Sequence, residues 1–171
     1  MKNNNPIFLL ILCYIIFSFN GFSQSKEIVS NTDEFDYLIG MEYSELSELK
    51  ELQYKSRVGL TKDDIETTST SFVKGNNQII TSESVRIDTK SNQKVYKILD
   101  IIVLNGYYAS CEGCLLSNKK NVTIKTFHPL GKTVSDSIIV AFEKNYSTGI
   151  FRSVDPNNYK LNPKSYPQKK D

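Results

Sequence analysis

Between Lys94 and Leu104 the sequence alternates, and both registers of the alternation are apolar. Val95, Leu99, Ile101 and Val103 fall on one face, and Tyr96, Ile98, Ile102 and Leu104 on the other. A strand that is apolar on both faces has to be covered on both, so this stretch is predicted to be a central strand. Asn105-Gly106 follows. Both residues tolerate positive φ, which predicts a tight hairpin with 107–110 returning antiparallel to the central strand.

The flanking segments read in the same way. Ile65 to Lys74 is rich in Thr and Ser, Gly75-Asn76-Asn77 is a turn signal, and Gln78 to Asp88 places Ile79, Thr81, Glu83, Val85 and Ile87 on one face. This pair is predicted to be a polar hairpin at a sheet edge. Further strands are predicted at 121–127, 137–144 and 150–154, separated by Pro129-Leu130-Gly131-Lys132 and Ser147-Thr148-Gly149. Upstream the period changes. Phe35, Leu38, Ile39, Leu46, Leu49 and Leu52 recur at three- and four-residue intervals with Glu45, Glu48 and Glu51 between them. That spacing predicts a helix from Asp33, kinked at Gly40, or a turn feeding a helix capped by Ser44. The expected fold is therefore α+β, with one N-terminal helix packed on a mainly antiparallel, meandering β-sheet. A β-barrel or β-sandwich with an N-terminal helix is the alternative.

The start of the chain bears on its compartment. Lys2 precedes a 13-residue apolar run, 7–19, and Asn20-Gly21-Phe22-Ser23 then leads into polar sequence. A spanning helix needs roughly 20 apolar residues, so the order reads as a secretory signal cut after Ser23, with an uncleaved anchor as the alternative. The predicted organisation is a signal peptide at 1–23, a polar leader at 24–32, a single globular domain at 33–154 and a Pro/Lys-rich extended or disordered tail at 155–171. The whole chain has 21 basic and 19 acidic side chains, and loss of Lys2 leaves 20 against 19, a net of +1. That balance argues against nucleic acid as a partner. No membrane span is expected after signal cleavage. The chain is expected to be periplasmic or secreted.

Cys111-Glu112-Gly113-Cys114 is the one local motif with chemistry in it. In an exported chain with no other cysteine downstream of Cys13, the two are predicted to close a disulfide around a Glu-Gly turn. The competing reading is a dithiol redox site. Residues 101–110, ending Tyr107-Tyr108-Ala109-Ser110, resemble the strand-then-aromatic approach to a thioredoxin active site, but Glu112-Gly113 replaces the usual Gly-Pro. A reactive thiolate is favoured by positive neighbours or a helix N-terminus, and Glu112 supplies the opposite charge. A metal reading would combine Cys111, Cys114 and His128 with a carboxylate such as Asp136, and has too few ligands. His128, the single histidine, precedes Pro129 without a Gly-x-Ser-x-Gly elbow, so no catalytic residue is assigned. Gly131-Lys132-Thr133 lacks the earlier glycine of a phosphate loop, since Thr126 stands there. No cofactor and no metal are expected.

The 30 residues from Val122 to Phe151 resemble the strand, Leu-Gly-Lys turn, strand and Ser-x-Gly-Ile-aromatic pattern of C-terminal secretion-sorting domains of gliding bacteria. The Pro-rich sequence after Asp155 departs from that family, which closes with a further strand, and membership is not assigned. The functional expectation is an exported, non-enzymatic domain that binds a protein partner in the cell envelope or outside. Tyr107, Tyr108 and Glu112, beside the disulfide, are its expected contact residues. Thiol-disulfide exchange at Cys111 and Cys114 is the first alternative, and carriage of a small apolar ligand inside a closed barrel is the second.

Overall fold

The computed structural model describes residues 28–29, 32–62, 65–132, 138 and 140–164. The segment expected to be a signal peptide, most of the expected leader, Asp136 and residues 165–171 lie outside the described residues. In chain order the strands are β1 (Glu42–Tyr43), β2 (Gln53–Lys62), β3 (Ile65–Lys74), β4 (Asn77–Ile87), β5 (Lys94–Asn105), β6 (Tyr108–Leu116), β7 (Val122–Pro129), β8 (Val140–Asn145), β9 (Phe151–Val154) and β10 (Lys160–Leu161). They form two five-stranded sheets, ordered β1-β5-β4-β3-β2 and β10-β6-β7-β8-β9. Every described pairing is antiparallel.

The expected α+β fold is not what forms. Among the described residues no N-terminal helix packs on a sheet. The segment instead holds two 3-10 turns, Asp33–Leu38 and Leu46–Glu48, with β1 between them. The reason lies at Gly40, whose φ of +86° leaves the helical region. Its N–H donates to the Ile98 carbonyl, and Ile98 N–H donates to Met41, so the chain is stitched to β5 where a helix would have continued. The second turn is capped by Glu48, which accepts from the main-chain N–H groups of Ser44 and Glu45, and those bonds lower its carboxyl pKa. The apolar spacing nonetheless identified core residues at four of its six positions; Ile39 is exposed and Leu46 only partly buried. Phe35, Leu38, Leu49 and Leu52 are buried against Phe72, Ile79, Ile98, Ile101 and Val103, on one face of the first sheet.

The other face of that sheet is covered by the second sheet. Ile80, Ile102 and Leu104 pack on Phe127, Val140 and Phe142, with the Phe127 and Phe142 rings edge to face. β5 is thus covered on both faces, as its composition predicts, but the middle strand of the sheet is β4, and β1 flanks β5 only at Tyr96 and Lys97. The faces of β5 also divide differently. Ser82 pairs with Asp100 and Glu83 with Ile98, so Leu99 is a bulge that resets the alternation and places Ile98 with Ile101 and Val103. Leu99 packs against the Gly149 turn of the second sheet, where an added Cβ would lie 2.9 Å from the Leu99 Cβ and φ is +75°.

Two further corrections concern turns and edges. The Asn105-Gly106 turn does not return the chain beside β5; it carries it into the second sheet, where β6 pairs with β7 and β10. Gly106, at φ +102°, donates its N–H to Asn76, which anchors the crossover on the β3–β4 turn. The β3–β4 hairpin forms as expected but lies inside the sheet, with β2 as the edge strand. Downstream of β9, Asp155 caps the turn Pro156–Asn158 and β10 pairs with Leu115 and Leu116.

The hairpin can be polar and interior because its polar groups serve one another. Glu83 is fully buried on β4. Its carboxylate accepts from Tyr43 at 2.7 Å, Thr81 at 2.6 Å, Thr70 at 2.8 Å and Thr68. Arg57 donates to both Thr70 and Tyr43, and its guanidinium stacks 3.9 Å from the Tyr96 ring centroid. Burial, then Glu83, drive the Tyr43 phenol pKa far above its usual value. Replacing Glu83 by Gln gives an amide group to a site built wholly of donors. The expected loss is about 3 kcal/mol of unfolding free energy, read from urea denaturation.

Candidate functional site: a groove beside the open edge of the second sheet

The second sheet ends at β6 over most of its length. β10 pairs only with Leu115 and Leu116, and Asn162 extends that cover by donating to the Cys114 and Gly113 carbonyls. Toward Tyr108 the edge of β6 borders a groove of about 530 Å3. Tyr107, Tyr108, Ala109 and Ser110 form one wall, and Lys55, Ser56, Val73 and Gln78 of the first sheet line the remainder.

Gln78 defines the inner end. Its amide oxygen accepts from Tyr108 N–H at 2.8 Å, and its amide nitrogen donates to the Tyr108 carbonyl at 3.2 Å. A side-chain amide thereby occupies the place that a neighbouring strand would take. Tyr107 is half-exposed at the rim and donates its hydroxyl to the Gly75 carbonyl. The Tyr108 hydroxyl donates to Asn105 at 2.9 Å. Both rings are therefore fixed by hydrogen bonds to turns and present defined surfaces to the groove.

Further along β6 lies the Cys111–Cys114 disulfide, with its Cα atoms 5.7 Å apart. The predicted Glu-Gly turn is a bulge inside the strand. Glu112 pairs with Lys125 and Leu115 with Ile124, so Gly113 and Cys114 are extra residues opposite β7. Gly113 takes φ +75°, which an L residue rarely adopts. Opening a loop this short by converting both cysteines to Ala is expected to cost about 2 kcal/mol, measurable as a lowered urea midpoint.

Glu112 is still in register, opposite Lys125 and just before the bulge, and its side chain lies between the sheets, beyond the end of the groove. Its carboxylate lies 3.6 Å from Lys125 Nζ, and both side chains are nearly buried. Lys144 is 1% exposed and donates to the Thr68 carbonyl at 3.1 Å and to Ser69 Oγ at 2.9 Å. Burial pulls its pKa down to about 8, Lys125 adds to that, and Glu112 and Glu83 oppose it. Burial lowers Lys125 as well, against the pull of Glu112. The hydroxyls of Thr67 and Ser82 have no hydrogen-bond partner among the described residues.

A lysine that titrates near 8 when folded and 10.5 when unfolded makes the unfolded chain hold more protons between those values. Stability should therefore rise from pH 8 to 9.5, by on the order of 1 kcal/mol for Lys144, and the Lys144→Met variant should show a smaller rise. Urea midpoints at intervals across that range test it; an unchanged slope in the variant would contradict the assignment.

Of the expected contact residues, the structure places Tyr107 and Tyr108 in the groove wall and Glu112 elsewhere, against Lys125. His128 is buried in register with Ala109, and its Nδ1 has no partner among the described residues. No group of three His, Cys, Asp or Glu among the described residues could hold a metal ion. Sequence reasoning missed Lys55, Gln78, Ser110, Lys125 and Lys144. The two buried lysines did leave a signal, because Lys144 follows Val140 and Phe142 at strand spacing and Lys125 precedes Phe127. Gln78 left none. The disulfide is compatible with an exported protein, and no helix of the described residues is long and apolar enough to cross a membrane. No family model, curated protein or solved structure matches the chain.

Proposed function

We propose that the chain is an exported, non-enzymatic β-domain that binds a protein partner in the cell envelope or outside, through the groove beside Tyr107 and Tyr108. The observation that carries this reading is the coincidence of three features in one place: a cavity of about 530 Å3, two fixed aromatic side chains and a stretch of β6 edge with no strand of the described residues beside it. Aromatic rings with polar tips at a concave surface suit protein recognition, since they offer contact area at low entropic cost. The redox alternative draws less support, because Cys114 is 1% exposed and sits in a strand bulge away from any helix N-terminus. The carrier alternative needs a closed barrel, whereas the strands form two sheets with Ile80, Ile102, Phe127 and Phe142 filling the space between them.

Site-specific photo-crosslinking in the producing cells tests the placement. A photoreactive residue at Tyr107 should yield a protein adduct that is lost when Tyr108 is also changed to Ala. The same probe at Ile87, which is 60% exposed on the first sheet, should not yield it. Equal labelling from both positions, or none from Tyr107, would remove the groove as the docking site.

A further inference from the structure

The register between β2 and β3 shows where the sandwich stops. Ser69 receives a hydrogen bond from Lys144 of the second sheet, so its side chain lies on the face that the second sheet covers. Val58 pairs directly with Ser69 and shares that face, yet it is 50% exposed. Cover is lost between β3 and β2. The second sheet would need one more strand, outside β6, to shield this strip, and the groove opens at its near end, beside Ser56.

The main chain of β6 points the same way. Tyr108 is paired opposite Pro129, which has no N–H, and it spends both main-chain groups on the Gln78 amide. Antiparallel alternation then turns the N–H and C=O of Ser110, two residues on, away from β7 and toward the open edge. Ser110 is exposed and lines the groove. The charge of the lining is one-sided, since Lys55 is its one charged residue and has no ion pair among the described residues. Gln53, Ser56, Ser71 and Val73 complete the floor without an acid.

We propose that the groove takes an extended, acidic segment of a partner protein, which adds as a strand to β6 at Ser110. Its alternate apolar side chains lie over Val73 and Val58, and a carboxylate faces Lys55. This deepens the binding reading above and rests on it. Main-chain bonds to the strand edge supply affinity, and the pockets for alternate side chains supply selectivity. The Gln78 amide sets the register, because an incoming strand can start only beyond the main-chain groups that Gln78 already holds.

The probe is a displayed library of random dodecapeptides selected on the purified chain. Enriched peptides should carry Asp or Glu, alternate with apolar residues and lack central proline. A labelled winner should lose about fivefold in affinity on the Lys55→Glu variant, and more than about tenfold when alternate peptide nitrogens on one edge are methylated. Methylation of the intervening nitrogens should change little. The methylation arm leaves the protein untouched, so it holds even if a variant folds poorly. Failure to enrich any peptide, or winners indifferent to methylation and to Lys55→Glu, would overturn strand addition. The broader reading would stand if the Tyr107 crosslink persisted and would fall with it if the crosslink were absent. A concentration-dependent dimer in sedimentation that Ser110→Pro dissolves would make a second copy the occupant and overturn the partner assignment.

Discussion

A strand with apolar side chains on both faces has to be covered twice, and the rest of the molecule is arranged around that requirement of β5. One cover is short and local: two 3-10 turns deliver Phe35, Leu38, Leu49 and Leu52 to the first sheet. The other is the second sheet, reached by the crossover at Gly106. A continuous helix was not required, because each apolar side chain needs only a site on the sheet and not a common axis. The helix would also have to forgo the main-chain bonds that join Gly40 and Met41 to Ile98. Tertiary pairing therefore prevails over a local helical pattern of modest length.

The polar groups buried with this core are of two kinds. Glu83 is surrounded by four hydroxyl donors, Thr68 and Thr70 of β3, Thr81 of β4 and Tyr43 of β1, so its desolvation is offset by bonds that strengthen in a low dielectric. The arrangement also fixes register. A one-residue slip of β4 against β3 would turn Glu83 to the opposite face, away from Thr68, Thr70 and Tyr43. The inter-sheet group is less complete. Lys125 has a carboxylate at 3.6 Å, Lys144 has two neutral acceptors, and Thr67 and Ser82 have none among the described residues. Burial is what lowers the pKa of Lys144, and that of Lys125 in spite of Glu112, whereas the unburied ammonium groups of Lys74 and Lys94 are raised by their bonds to Glu51 and Glu66.

Much of the strand pattern was legible because side-chain alternation survives in sequence: β3, β4, β5, β7 and β8 all lie close to where periodicity placed them. What failed involved partners distant in the chain. β2 went unread because its register is broken at Lys55 and its inward side chain is Arg57, whose stacking on Tyr96 no local pattern announces. The face division of β5 failed at the Leu99 bulge, which exists to meet the Gly149 turn 50 residues downstream. Asn105-Gly106 was read correctly as a turn and wrongly as a hairpin, since the same positive φ serves either connection. Of the candidate site, the aromatic pair was visible as sequence, while Gln78 joins it only through a contact 30 positions away.

The two edges that meet at the groove are guarded unequally, and this difference gives the site its direction. β2 carries a bulge and a lysine at Lys55, with Arg57 turned inward two residues on, devices that discourage indiscriminate pairing along an exposed edge. β6 is closed by β10 at Leu115 and Leu116, by Asn162 at Gly113 and Cys114, and by Gln78 at Tyr108. Between these stoppers only a short stretch around Ser110 is left, and the disulfide bulge ends it after Glu112. An edge restricted in this way cannot propagate a sheet. The proposed segment suits that restriction, as a single short strand in one register beside fixed aromatic rings and Lys55. Long unguarded edges aggregate, whereas a bounded edge selects.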